Sequence, residues 1–326
     1  MNKLETTNQS EIEKVMKKVY FEFDTAVSYK IWVKNFALNL ENIWKEKSAK
    51  KLSEDTVSNT AIVIGRGPSL KNHDHLNKLK CSKYDGAIIC TDGALITALK
   101  AGITPDRFPE FYVVTVDPRS ETIKFYNDKI INKYHGKIKG IFSTVSDPNT
   151  VKKARESGIE IFWFHSLVDY NEGEKSFNQI SALITRAKNH EKGLPAIQTG
   201  GNVGTSSWFL CWKLLNCKII TLIGINHGWE DTDSWETIMT HNGMCKMIEM
   251  DKNSERFKKL FPRIYNPDFD CYCILDPIFQ YYSAGLKEFI FRSPEEIRTI
   301  NATEGGCIFG DRIKSMKLEE FLMKFD

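Results

Sequence analysis

The sequence predicts an α/β fold: a doubly wound, mostly parallel sheet with an N-terminal helical arm and a C-terminal cap. Short runs that are apolar throughout recur at 61–64, 87–90, 111–116, 140–142, 159–164 and 219–223, as strands buried on both faces require. Helical patterns separate most of them, at 70–79, 94–100, 121–133, 150–157 and 203–215. That alternation gives parallel strands joined by helices lying on both faces, and the order βαβαβ places chemistry at the carboxyl ends of the strands.

The elements follow in chain order. Ile12, Val15, Val19, Phe36, Leu40, Ile43 and Trp44 fall mostly three or four apart within residues 10–47, the spacing of amphipathic helices. This arm is expected to pack on the main body or on a second copy of the chain. A polar stretch, 45–59, divides the arm (1–59) from an α/β domain over 60–230. Beyond Asn226 the pattern becomes irregular. A helix near 274–285, a short strand at 289–292 and a terminal helix from Lys317 are expected there, in a cap over 231–326 that completes the site.

Composition narrows the class. The chain has 326 residues, and 45 Lys+Arg against 42 Asp+Glu leave a net charge of +3, too balanced for a dedicated nucleic-acid binder. A chain this long buries roughly three quarters of its unfolded surface and needs no disulfides. No run approaches the ~20 apolar residues of a membrane span, and the polar N-terminus has no apolar signal core. A soluble, cytoplasmic protein is expected. The eight cysteines show no CxxC spacing, and those in apolar runs, Cys90 and Cys211, read as core residues.

Four motifs carry the candidate chemistry. The first strand runs into Gly65-Arg66-Gly67-Pro68-Ser69 and then a helix. Glycines let such a turn approach a ligand, and Pro68 suits a first helical turn. Exposed amides, the helix dipole, Arg66 and the Ser69 hydroxyl favour a phosphate there; the alternative is a tight turn without a ligand. The next strands end at Asp92 and Asp117, on the same rim of a parallel sheet. Carboxylates so placed hold Mg²⁺, bond a ribose or act as a base, or else cap the following helix. The third motif, Thr199-Gly200-Gly201-Asn202-Val203-Gly204-Thr205-Ser206, opens an amphipathic helix. Its amides, with Asn202, Thr205 and Ser206, are expected to grip a second phosphate or polar headgroup, or else to cap that helix. The fourth, Asn226-His227, follows the strand at 219–223, and His227 is the natural acid/base candidate there, or else a hydrogen-bonded structural residue. His241 is a lesser candidate, and His73 and His75 read as solvated.

Together GRGPSL, CTDGAL, AGITPD, VVTVDP, TGGNVGTSS and ITLIGIN resemble the MptE-like (DUF115) family over roughly residues 60–230. That family includes archaeal 6-hydroxymethylpterin diphosphokinases and Maf flagellin glycosyltransferases. The closing NATEGGCIFGD is similar to the Maf branch. The resemblance implies an α/β fold related to sialyltransferases and a phosphate-containing donor near Gly65–Ser69 and Gly200–Thr205. It implies functional status for Asp92, Asp117, Asn202 and Glu304. Two positions depart from the pattern. The pterin enzymes carry an Asp-Leu-Asp-Gly type sequence where this chain has Thr115-Val116-Asp117-Pro118, and Maf proteins usually place an Asp where Asn226 stands.

The expected function is therefore a transferase with a nucleotide-activated donor. The first reading is glycosyl transfer from a CMP-activated nonulosonate-type sugar without a metal cofactor, with His227 or Asp117 as base. The second is a diphosphokinase in which Asp92 and Asp117 hold the Mg²⁺ of Mg-ATP. The third is a non-catalytic nucleotide-binding module. The expected partner is a small-molecule donor, and the acceptor is a glycan, a protein or a pterin.

Overall fold

The computed structural model describes residues 25–168, 176–186, 193–234, 253–275 and 277–325. The anticipated arm positions Ile12, Val15 and Val19, and also His241, lie outside the described residues. The strands are β1 (Lys47–Ser48), β2 (Thr60–Ile64), β3 (Ala87–Thr91), β4 (Phe111–Thr115), β5 (Lys139–Ser143), β6 (Glu160–Leu167), β7 (Ala196–Gln198), β8 (Ile219–Ile223), β9 (Trp229–Glu230), β10 (Arg263–Asn266), β11 (Cys271–Ile274), β12 (Arg298–Asn301) and β13 (Ile313–Ser315). The helices are α1 (Thr25–Lys45), α2 (Leu52–Asp55), α3 (Ser69–Asn72), α4 (His75–Cys81), α5 (Asp92–Ala101), α6 (Pro148–Glu156), α7 (Phe177–Arg186), α8 (Val203–Lys213), α9 (Glu255–Leu260), α10 (Pro277–Arg292) and α11 (Leu318–Leu322).

The main sheet has the order β1-β6-β5-β4-β3-β2-β8-β12-β13, with β7 also paired to β6. Every pairing in it is parallel. Alternate residues of each strand enter opposite cores. Ile62, Ile64, Ile88 and Val113 pack with Phe36 of α1, Leu79 of α4 and Leu95 of α5. Ala61, Val63, Ile89 and Val114 pack with Trp208 and Leu210 of α8 and Leu286 and Ile290 of α10. The sheet is thus covered on both sides, a Rossmann-like α/β arrangement, which explains why its strands are apolar throughout.

The chain order reverses between β2 and β8. Strands β2 to β6 run outward one way, while β8, β12 and β13 continue on the other side of β2. In open α/β sheets a ligand crevice forms where neighbouring connections part in this manner. The loops after β2 and β8 meet there.

Several elements differ from the sequence expectation. The expected strand at 289–292 is the last turn of α10. The helix expected over 121–133 is two short 3₁₀ segments, Ser120–Tyr126 and Ile131–Tyr134. The polar stretch after the arm contributes β1, and the segment after 230 contributes β12 and β13 to the main sheet. The borders expected at 59 and 230 therefore do not coincide with the sheet's edges. A separate antiparallel sheet, β10-β11-β9, stands beyond β8.

The described part of the arm packs on the body. Asn39 Nδ2, buried on α1, donates to the carbonyls of Thr144 at 3.2 Å and Ser146 at 2.9 Å. Asn35 Nδ2 donates to Pro118 at 2.8 Å and Val145 at 3.0 Å. These two amides satisfy loop carbonyls at the strand ends and fix the rim on that side. No described helix is long and apolar enough to cross a membrane.

Candidate active site

The loop after β2 is held by the loop after β8. Gly65 N–H donates to Ile223 O and Gly67 N–H to Gly224 O, each at 2.8 Å. A Cβ on Gly65 would lie 2.3 Å from Gly224 O, and one on Gly67 would lie 2.1 Å from Asn226 Oδ1. Both glycines are required by this close approach. The expected cradle of exposed amides therefore does not form at Gly65 and Gly67, whose N–H groups bond within the fold. Pro68 leads into α3, a single turn, and Ser69 Oγ donates to Asn226 Oδ1 at 2.9 Å. Arg66 is the cation this loop presents, its guanidinium 5.4 Å from the Phe125 ring centroid.

The second loop opens α8, a helix of three turns. Gly200 and Gly201 take φ of 59° and 83°, conformations that favour glycine. Asn202 caps the helix, accepting from Thr205 N–H at 2.9 Å and donating to Thr205 Oγ1 at 2.8 Å. Ser206 Oγ donates to Thr199 O and Asn202 O. The side chains expected to grip a ligand thus bond one another and rigidify the turn. What this loop directs at a ligand is the positive end of the helix dipole. Trp208 Nε1 donates to Thr299 Oγ1 at 3.0 Å, which ties α8 to β12 and fixes its N-terminus on the rim.

The two loops converge. A Cβ on Gly65 would meet Ile225 Cδ1 at 2.4 Å, and a Cβ on Gly204 would meet that same methyl carbon at 3.0 Å. One side chain at the end of β8 therefore separates them. Tyr281 and Tyr282 of α10 lean on Gly201, so the C-terminal segment flanks this corner.

Asp92, the first residue of α5, is 5% exposed. Burial pushes its carboxyl up to about 7, and the Asp117 charge adds to the rise; Gly93 N–H, Arg66 and Thr115 oppose it. Gly93 N–H donates to Asp92 Oδ1 at 2.7 Å, and Thr115 Oγ1 is shared with Tyr126 OH at 2.6 Å. An acid near 7 is poised to accept and return a proton at neutral pH.

Asp117 is gripped by Arg119. Its Oδ1 accepts from Arg119 N at 2.9 Å and Nε at 3.0 Å, and its Oδ2 accepts from Nη2 at 3.0 Å. A Mg²⁺ ion would draw its protein oxygens from Asp117 and Asp92. One is already paired with a guanidinium and the other is buried and readily protonated, so the pair does not fit a hard divalent cation. Among the described residues no group of three His, Cys, Asp or Glu side chains has metal-binding geometry.

His227 is also unlike the sequence expectation. It lies at φ 48° and is 7% exposed, stacked on Phe279 at 6.2 Å. Burial, with a smaller effect from Lys287, lowers its pKa to about 3, so the ring is neutral and weakly basic near pH 7.

Glu304 turns to α4 and α11. Its carboxylate accepts from His75 Nε2 at 3.2 Å and Leu318 N–H at 3.1 Å, with Lys78 Nζ at 3.8 Å. Burial raises its pKa, but these donors and the lysine outweigh it and hold the group at about 2. His75 is fully buried, which corrects the reading of it as solvated. Because Glu304 is depressed from 4.5, its stabilisation is complete above that value and is lost as pH falls towards 2. Glu304→Gln is expected to lower stability at pH 7 by on the order of 2–3 kcal/mol and to flatten the loss below pH 4.5, read by urea unfolding across pH.

Residue patterns missed Ile225, Arg119, His75 and Tyr126. Their roles arise from partners distant in the chain, and no local spacing signals them.

A protein-family model described as 6-hydroxymethylpterin diphosphokinase MptE-like matches residues 34–232, more than half of the chain. The chain belongs to the MptE-like family. Its fold is also that of a solved structure, the MAf glycosyltransferase from Magnetospirillum magneticum AMB-1, with a TM-score of 0.56 and 14% identity. That likeness covers 81% of this chain and 34% of the other, so the chain spans about a third of that enzyme's length. No curated protein sequence matches the chain significantly. The family model is named for a diphosphokinase and the solved structure for a glycosyltransferase.

Proposed function

We propose that this MptE-like protein is a glycosyltransferase that takes a sugar from a CMP-activated, nonulosonate-type donor without a metal ion. The observation that carries this reading is the meeting of the Gly65–Ser69 and Gly200–Gly204 loops across Ile225, at the sheet's switch point. A single phosphate there lies between the Arg66 guanidinium and the N-terminus of α8. The acceptor oxygen attacks the anomeric carbon as that carbon's bond to the phosphate oxygen breaks. The electron pair leaves with CMP, and the Arg66 charge and helix dipole stabilise the phosphate's added negative charge. The acceptor proton passes to the Asp92 carboxylate. His227, with its pKa near 3, is a poor base, and Asp117 holds Arg119 in place.

The diphosphokinase alternative needs a carboxylate pair open to Mg²⁺, which the Asp117–Arg119 clamp opposes. Thermal shift with CMP, CDP, ATP and GTP, each with and without Mg²⁺, separates the two. Stabilisation by CMP that is indifferent to Mg²⁺ is the expected result. Stabilisation by ATP only when Mg²⁺ is present would replace this reading with the kinase.

A further inference from the structure

Gly93 occupies a place where the backbone does not call for glycine. It is the second residue of α5 and takes no positive φ, so alanine is the better helix former there. The missing Cβ leaves room for one side chain. The three atoms nearest to a Cβ built on Gly93 are Arg66 Cδ at 2.6 Å, Nε at 3.3 Å and Cγ at 3.6 Å. The Arg66 stem therefore crosses the first turn of α5 in space that a methyl group would fill.

The head of the same side chain meets Phe125, whose ring centroid lies 5.4 Å from the guanidinium carbon, inside the range of cation–π attraction. Phe125 is half-buried and packs on the core beneath it. The segment that carries it is anchored on both sides. Tyr126 is fully buried with its OH 2.6 Å from Thr115 Oγ1. Thr122 Oγ1 donates to Arg119 O at 2.8 Å and lies 2.9 Å from Thr150 Oγ1. A fixed ring thus faces an exposed arginine, a side chain with much rotamer freedom to lose on ordering.

We infer that Gly93 and Phe125 are positioning residues for Arg66: the glycine opens the path of its stem, and the ring seats its guanidinium where the donor's phosphate binds. The identity of that anion rests on the proposed function. An arginine already held in place loses less freedom when the donor arrives, which strengthens binding without any new contact. Lysine is no substitute, because an ammonium lacks both the planar face that stacks on the ring and the fork that grips a phosphate.

Calorimetric titration of CMP tests this on the wild-type chain, Gly93→Ala, Phe125→Leu, Phe125→Tyr, Arg66→Ala, and Arg66→Ala combined with Gly93→Ala or with Phe125→Leu. Each chain is also melted. Arg66→Ala is expected to weaken CMP binding roughly tenfold or more. Gly93→Ala and Phe125→Leu each weaken it about two- to fivefold, the worth of a cation–π seat, and Phe125→Tyr binds as wild type does. Gly93→Ala melts no lower than wild type, because the atoms it displaces belong to an exposed, flexible side chain; weaker binding without lost stability separates positioning from damage to the fold. With Arg66→Ala in place, neither second substitution changes CMP affinity further. Affinity unaltered by Gly93→Ala and Phe125→Leu, while Arg66→Ala still weakens it, overturns the inference and leaves the donor reading standing. A loss that persists beside Arg66→Ala also overturns it, since it would run through another group such as Lys124, whose Nζ lies 5.2 Å from the same ring centroid. CMP that does not bind the wild-type chain, or binds Arg66→Ala equally well, removes the donor site and the inference with it.

Discussion

Asp92→Asn is expected to lower turnover by about 10²- to 10⁴-fold, the usual worth of a positioned proton acceptor, while leaving the fold intact. The reason is the environment of the group. At 5% exposure and beside Asp117, its carboxyl is held to about 7, and asparagine reproduces the neutral form in shape but takes no proton. The same shift fixes the sign of the stability change. Between 3.8 and about 7 the folded chain binds the proton that the unfolded chain has lost, so ionisation of Asp92 destabilises the fold as pH rises through that window. Asp92→Asn removes that penalty, so the variant is expected to be more stable than wild type at pH 8 and no more stable at pH 4. In wild type, kcat/KM is expected to rise with pH to a plateau with a midpoint near 7, and the variant loses this limb. Unfolding curves at the two pH values and a CMP-release assay check both halves. Full activity in the variant would remove Asp92 from the reaction.

Gly65→Ala is expected to be strongly destabilising. The new Cβ would stand 2.3 Å from Gly224 O and 2.9 Å from Gly224 C. These are backbone atoms of the β8 loop, which cannot rotate aside as a side chain would. Relief requires β2 and β8 to part where Gly65 N–H bonds Ile223 O, at the sheet's switch point. Overpacking of this kind costs about 3 kcal/mol or more, a fall of roughly 4 °C or more in Tm for a chain this long. Gly136→Ala is the control, since nothing lies within 4 Å of its added Cβ, although its φ of 73° carries a backbone cost of its own. A Gly65→Ala melt no lower than that of Gly136→Ala would contradict the close approach.

The fold was legible where burial on both faces forced whole strands to be apolar, as in Ala61–Ile64 and Ile219–Ile223. It was not legible where a helix's inward side happens to imitate a strand. Phe289-Ile290-Phe291 reads as β in isolation, yet Leu286 and Ile290 are buried and Phe291 is 69% exposed, the spacing of the last turns of α10. The pairing of β1, only two residues long, leaves no pattern at all. At the site, the two glycine loops and Asp92 are visible as local motifs. Their chemistry is set by distant partners: Gly67 by Gly224, Ser69 by Asn226, His75 by Glu304 and Asp92 by Thr115 and Arg66. The loss of free amides at Gly65 and Gly67, and the low basicity of His227, follow from contacts that no spacing along the chain encodes.

The crystallographic position of CMP bound to this protein tests the central claim most directly. Its phosphate is expected between the Arg66 guanidinium and the backbone of Gly200 and Gly201, in contact with both. A nucleotide that touches one loop alone, or that lies away from the β2–β8 switch point, would contradict it.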